Sequence, residues 1–301
     1  MEAAVVVPVR GRPELLRACL ASLAAQQGVT GGFEVVVCDD GSSEDLTEVV
    51  GAFADRLVVR LLRQPPRGPA AARNLGVRGT RAPVVIFADS DVVVDGRFVA
   101  GLLAALAAHP SWSGAEAALH PRGGGEGPLW DAPRSTEGGA YHTAGIAYRR
   151  EALLACGGFD ETFLLPACED VELACRMLEI GRIGFVPEAK VYHPSRRVTW
   201  ATHWRWRLFW KYELILAVRY GILAFPGRPA GRWPRLRLAL SAVATLPLGR
   251  FRKGLAALSN HPREAATACL LALFDVVCGL TALPTLLTCR VEERKSYLQG
   301  E

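Results

Sequence analysis

With 301 residues, half of them hydrophobic and a mean hydropathy of +0.17, the chain can bury one α/β-sized core and still carry an appendage. The net charge of +5 hides an asymmetry: residues 1–195 hold 18 Lys+Arg against 24 Asp+Glu, net −6, and residues 196–301 hold 17 against 6, net +11. The eight cysteines show no metal-type C-x-x-C pair and several fall in apolar runs, which reads as reduced core thiols of a cytosolic protein.

The first hundred residues alternate strand and helix signals. Ala3 to Val9 is an apolar strand that begins almost at once, so no signal peptide is expected. Pro13 opens a helix with Leu16, Leu20 and Leu23 at helical spacing. Phe33 to Cys38 is a second strand, ending in Asp39-Asp40-Gly41, and Ser42 with Asp45 reads as a capping-box start to the next helix. Leu57 to Leu62 is a third strand, followed by a Pro/Gly turn and a small-residue helix over Ala70 to Val77. The run Pro83 to Ala88 reads as a strand buried on both faces. Strands alternating with helices predict right-handed crossovers and an α/β fold with a mostly parallel sheet.

Asp89-Ser90-Asp91 closes that buried strand. Carboxylates at i and i+2 on a strand's carboxyl end project into the crevice where open α/β sheets bind ligands. Their mutual repulsion calls for a cation, and hard oxygen ligands suit Mg²⁺ or Mn²⁺. Residues 120–140, rich in Gly and Pro, read as a surface loop or as a lid that orders on substrate. Glu169-Asp170 then opens a helix to Ile180, stopped by Gly181, and a last strand from Ile183 to Tyr192 delivers His193. Strand ends of one parallel sheet gather at one edge, so Asp39-Asp40, Asp89-x-Asp91, Glu169-Asp170 and His193 can converge.

Beyond Trp200 the composition shifts to helix formers, arginine and tryptophan, giving a boundary between residues 1–200 and a helical, basic region 201–301. Five of the seven tryptophans (Trp200, Trp204, Trp206, Trp210, Trp233) lie in the basic stretch 196–301. Trp and Arg interleaved with Leu and Phe fit an anionic membrane interface better than nucleic acid. Ala265 to Cys289 is long enough to span a bilayer, but Asp275 near its middle makes a span costly, so a helical hairpin in the interface or packed on the catalytic domain stands at least level with it.

Taken in order, Val5-Val6-Val7-Pro8-Val9, Cys38-Asp39-Asp40-Gly41-Ser42, Gly68 to Gly76, Phe87 to Asp91, Gly157-Gly158-Phe159-Asp160-Glu161 and Glu169-Asp170 resemble the family 2 glycosyltransferases over roughly residues 3–195. The resemblance implies the GT-A nucleotide-diphosphosugar fold and an inverting enzyme. Lack of a Q-x-x-R-W signature implies addition of one or few sugars. Pro8, Val9 and Arg10 would line the base pocket, Asp39 or Asp40 would accept a hydrogen bond from base or ribose, and Arg73 would reach base or diphosphate. Asp89 and Ser90 would contribute to donor binding. Asp89, Asp91 and, as in some members, His193 would hold a divalent Mn²⁺ or Mg²⁺. Asp170 matches the catalytic base, with Glu169 beside it as the weaker candidate.

The implied function is metal-dependent transfer of a sugar from a nucleotide-diphosphosugar to an acceptor hydroxyl on a glycan, a lipid-linked precursor or a small molecule, at the cytoplasmic face of a membrane. Transfer to a polyprenyl phosphate is a close variant. A sugar-1-phosphate nucleotidylyltransferase shares the fold type but needs a glycine-rich phosphate loop, and Val9-Arg10-Gly11-Arg12-Pro13 offers one glycine. A non-catalytic nucleotide-sugar-binding protein would have lost the carboxylate stations, which are intact here.

Overall fold

The computed structural model describes residues 1–125, 127–206, 209–220, 247–248 and 250–282. The chain divides into two compact units, one of residues 1–122 and 133–194 and the other of 123–132 with the described residues from 195 onward.

In the first unit, β1 (Ala3–Val9), β2 (Phe33–Asp40), β3 (Val58–Gln64) and β4 (Val84–Phe87) pair in parallel in the order β3-β2-β1-β4. Helices α1 (Pro13–Ala24), α2 (Thr47–Gly51) and α3 (Pro69–Gly79) make the connections. The apolar run of β1 reflects burial on both faces. Val5 and Val7 pack with Leu16 and Leu20 of α1, whereas Ala4 and Val6 pack with Ala70, Ala72 and Val77 of α3. Each fully buried valine contributes about 1.5–3 kcal/mol.

After β4 the topology changes. A short β5 (Val93–Val94) and helix α4 (Phe98–Ala108) lead to β6 (Trp112–Arg122). Then, past a two-residue β7 (Trp130–Asp131) in the other unit, come β8 (Ile146–Arg149), α5 (Arg150–Ala155), α6 (Glu169–Ile180) and β9 (Arg182–Pro194). The eight-stranded order is β3-β2-β1-β4-β8-β6-β9-β5, with β8 antiparallel to β4 and β6, β9 parallel to β6, and β5 antiparallel to β9. The sheet is therefore mixed, mostly parallel. Its consequence is positional. The carboxyl ends of β1, β2, β4, β6 and β9 share an edge with the amino-terminal approach to β8 and the start of α6.

Three local expectations are corrected. Ser42 forms no capping box: its Oγ accepts from Gly11 N–H and donates to Asp39, while Asp45 accepts from Thr47 N–H at the start of α2. Gly181 ends α6 in extended backbone, φ −173°, and not in the left-handed region. A Cβ there would meet the Ser111 carbonyl at 2.8 Å, so close approach explains the glycine. Residues 120–140 are not one loop. Residues 120–122 finish β6, 123–132 belong to the second unit, and 135–141 hang on Glu116.

In the second unit, β7 pairs antiparallel with β10 (Arg196–Arg197), and Leu129 packs with Val198, Ala268 and Leu271. Helices α7 (Trp200–Trp206), α8 (Phe209–Tyr220) and Pro262–Ala282 follow. Trp233, Pro284 and Cys289, with the last seven residues of the expected apolar segment, lie outside the described residues. The described cysteines are all free thiols.

Candidate active site

Asp89 and Asp91 sit in the turn between β4 and β5, with Ser90 half-buried between them. Because Val93 pairs with Tyr192 antiparallel, the next residue of β9, His193, lies beside Asp91. The ligand atoms of Asp89, Asp91 and His193 lie within 4.8 Å of one another, and His193 Nε2 is 3.7 Å from Asp91 Oδ1. The Pro194 carbonyl, 2.9 Å from His193 Nδ1, can only accept, so Nδ1 carries the proton and Nε2 offers its lone pair. Two carboxylates and a neutral imidazole fit a divalent ion of the Mn²⁺ or Mg²⁺ kind. Arg12 also reaches this site, its Nη1 3.7 Å from Asp91 Oδ2. It follows Gly11, and both adopt left-handed backbone at φ 58° and 65°, turning the chain sharply out of β1. Sequence reading did not assign Arg12 to the site; backbone strain at a non-glycine is invisible in sequence.

Arg73, on α3, is buried and donates from Nη2 to Asp89 Oδ1 at 2.9 Å and from Nη1 to Glu169 Oε1 at 2.8 Å. Its guanidinium lies over the Phe159 ring, and its Nε has no hydrogen-bond partner among the described residues. Burial disfavours any charge here, but the two carboxylates win and raise the Arg73 pKa further. For Glu169 burial prevails: desolvation pushes the carboxyl up to about 7, against the pull of Arg73 and helped by the charge of Asp170. The neighbouring Asn74 side chain accepts from Phe159 N–H and donates to Phe159 C=O and Glu161. Helix α3 thus holds the Asp89 turn, the Gly157–Glu161 turn and the start of α6 at once. Gly68 before α3, φ 93°, gives its N–H to Asp40 Oδ2, and a Cβ there would meet the Leu164 carbonyl at 2.8 Å.

Asp170 occupies the first turn of α6, its Oδ1 accepting from Val171 N–H and its Oδ2 3.5 Å from His142 Nδ1. Burial raises its pKa, but the hydrogen bond and charge of His142 outweigh that and the net shift is down. A carboxylate at a helix N-terminus has the same preference. The carboxylate form of Asp170 is thus favoured. His142 comes from the approach to β8, and no sequence feature flagged this lone histidine.

The remaining candidates separate. Asp39 is buried, accepts from Ser42, and borders a cavity of about 310 Å³ with Ser42, Glu44, Asp45 and Arg63. Asp40 is committed to structure: Oδ1 accepts from Gln64 and Arg67 N–H, Oδ2 from Gly68 N–H. Val9 points into the core, so its side chain does not face a ligand, whereas Pro8 is half-buried and Arg10 exposed beside it.

This arrangement has relatives. Residues 4–129 match the model of glycosyl transferase family 2. Residues 4–129 thus carry a glycosyl transferase family 2 domain. It is 35% identical over 214 residues to the pre-mycofactocin glycosyltransferase of Mycobacterium tuberculosis, a match covering 64% of this chain and 42% of that protein. The chain thus spans less than half the length of this curated relative. Among solved structures it resembles the mannosyltransferase PcManGT of Pyrobaculum calidifontis, in complex with GDP-Man and Mn²⁺, at TM-score 0.61 and 18% identity over 94% of this chain and 87% of that one. It also resembles S. aureus TarS 1–349 in complex with UDP-GlcNAc, at TM-score 0.55 and 16% identity over 96% and 89%. The fold is the GT-A fold of nucleotide-diphosphosugar transferases.

Proposed function

We propose that the chain is an inverting, metal-dependent glycosyltransferase that moves a sugar from a nucleotide-diphosphosugar to an acceptor hydroxyl, adding one or few residues. The observation that carries this reading is the Arg73 bridge, one guanidinium hydrogen-bonded to both Asp89 of the candidate metal triad and Glu169 beside the candidate base. The family 2 domain and the nucleotide-sugar ligands of the two structural relatives support it.

Asp89, Asp91 and His193 would hold a divalent cation, which when bound supplies a Lewis acid for the departing diphosphate. Arg12 adds a further positive group on that side. Asp39 lines the cavity assigned to the base, and Pro8 of β1 pairs with Cys38, the residue before it on β2. The ionised Oδ2 of Asp170 accepts the proton of the attacking hydroxyl, whose oxygen bonds to the anomeric carbon as the bond to the diphosphate breaks. Base and leaving group act on opposite faces of one carbon, so configuration inverts.

The test is a panel of nucleotide sugars scored for transfer or hydrolysis with and without chelator, with the product anomer read by NMR. Asp170→Asn lowers kcat by about 10²–10⁴ while donor affinity holds. If that variant keeps its rate, an already ionised polyprenyl-phosphate acceptor becomes the better reading. If no donor is turned over, the proposal falls.

The second unit supports attachment to an anionic membrane at the cytoplasmic face. On Pro262–Ala282, Leu270, Leu273, Val277 and Leu280 are exposed at helical spacing, while Ala265, Ala268, Leu271 and Cys278 are buried. The helix is long and apolar enough to cross a membrane, and Asp275 is paired with Arg250. One buried and one exposed apolar face suit a helix lying along the interface, and the net +11 of residues 196–301 supplies attraction to anionic lipid.

A further inference from the structure

We propose that His142 is a positioning residue that forms a proton-accepting dyad with Asp170, and that Glu116 exists to hold it there. This rests on the reading of Asp170 as the base. His142 Nδ1 is 3.5 Å from Asp170 Oδ2, and Asp170 Oδ1 is already bound to the backbone N–H of Val171. The oxygen left for a substrate proton is therefore the one that faces the imidazole, and it has a lone pair for each.

The segment that delivers His142 is built for placement. Glu116 on β6 is buried, and no cation among the described residues pairs with it. It accepts from Ser135 Oγ at 2.8 Å, Gly139 N–H at 2.7 Å, Ala140 N–H at 3.2 Å and Tyr141 N–H at 3.0 Å. A carboxylate with this many donors is fixed in place. Tyr141, the residue before His142, is held at φ 57°, one of three left-handed non-glycine residues among those described. Such strain persists only where surrounding bonds over-determine it, and it collects at functional sites. Four hydrogen bonds to one buried carboxylate supply the constraint, and the strained residue turns the imidazole towards Asp170.

The proton path balances. The acceptor O–H bond breaks and its proton goes to Asp170 Oδ2. The freed pair forms the new glycosidic bond, and the bonding pair of the old one leaves with the diphosphate. Neutral His142, protonated only on Nε2, then takes the proton on Nδ1, leaving an imidazolium whose Nδ1–H donates to the Asp170 carboxylate, and this pair discharges to water. The groups that act on His142 are Asp170 of α6, Glu116 of β6 and Asp89 beyond β4. Asp170 in turn feels Arg73 of α3, with Glu169 beside it and the buried Tyr148 of β8 responding to its charge. Burial disfavours the imidazolium, but the bond and charge of Asp170, reinforced by Glu116 and Asp89, prevail and raise His142 above its ordinary 6.5. Below that pKa the dyad is already protonated and cannot accept. The acid limb of kcat/KM is then set by an imidazole raised above its ordinary value and not by a lone carboxylate.

Two measurements on the full chain test this. In metal-free protein, the His142 ring resonance, assigned by its loss in His142→Gln, is titrated by NMR. The expected midpoint lies above 6.5 and falls by half a unit or more in Asp170→Asn and in Glu116→Gln. A midpoint at or below the ordinary value, or one indifferent to Asp170→Asn, overturns the dyad whether or not transfer is ever seen. In the pH–rate profile, His142→Gln moves the acid limb down by a unit or more. A uniformly lower rate with an unmoved limb makes His142 merely structural and sinks the inference while leaving the proposed transfer intact. Absence of transfer with every donor refutes the function while the NMR result stands.

Discussion

Asp91→Asn separates the candidate metal site from fold stability without knowledge of the acceptor. The ligand atoms of Asp89 and Asp91 lie within 4.8 Å, where two unit charges repel by about 3.5 kcal/mol at an effective dielectric near 20. Arg73, 2.9 Å from Asp89, and Arg12, 3.7 Å from Asp91, offset part of this, and the Asp89 side chain is 29% exposed and partly screened. A residual strain of about 1–2 kcal/mol remains in the metal-free protein. Removing one charge releases it, so in chelator the variant should melt roughly 2–8 °C above the wild type, at about 2–4 °C per kcal/mol for a domain of this size. Addition of Mn²⁺ or Mg²⁺ at about 100-fold over its Kd stabilises the wild type by about 2.7 kcal/mol, roughly 5–11 °C, and the variant by little. Thermal unfolding by circular dichroism in chelator and in either ion reads both effects. A variant that melts below the wild type in chelator, or that responds to the ion as strongly, would refute the reasoning.

Asn74→Ala strands the N–H and C=O of Phe159 in a buried turn and should cost about 2–4 kcal/mol by urea unfolding; a loss under about 1 kcal/mol contradicts the role given to α3. For Glu169, folding raises the carboxyl pKa from 4.5 to about 7, so the folded state binds the extra proton. Its contribution is full below pH 4.5 and is lost as pH rises to 7. Glu169→Gln should therefore gain up to about 3 kcal/mol on the wild type between pH 4.5 and pH 7.5, and a flat difference denies the shift. Cosedimentation with anionic vesicles should be strong at low salt, weak at high salt and absent with neutral vesicles. Salt-resistant attachment would instead identify Pro262–Ala282 as inserted.

The strands with continuous apolar runs were legible because burial on both faces leaves that pattern, as in Val5 to Val7 and Val84 to Phe87. The expectation missed β6 and β8. β6 runs through Gly114, Ala115, Ala117, His120 and Pro121, a poor strand sequence made a strand by β8 and β9 on either side. β8 has four residues, too few to show a period. Missing those strands also hid half of the site. His193 could be placed with Asp89 and Asp91 because a strand end is visible in sequence. His142 and Glu116 could not, since their proximity to Asp170 depends on β8 running against β4. Asp39 and Asp40 were indistinguishable as letters; only the hydrogen bonds of Gln64, Arg67 and Gly68 show that Asp40 is consumed by structure.

Arg73 explains why the donor and acceptor halves of the site keep a fixed relation. Burying a guanidinium with an unpartnered Nε is expensive, and a pair of apolar residues would fill the space at no such cost. Stability therefore does not account for it. A lysine could not replace it, because a single ammonium cannot place two directed donors on carboxylates from different elements, whereas the planar fork does so from one rigid group. With Nη2 on Asp89 and Nη1 on Glu169, the turn after β4 cannot shift without disturbing the first turn of α6, where Asp170 sits. Asn74, the next residue on the helix, ties in the Gly157–Glu161 turn by the same logic. The motifs quoted from residues 68–76, 87–91, 157–161 and 169–170 are thus one physical object: a helix whose two polar side chains fix the spacing between the candidate cation site and the proposed base.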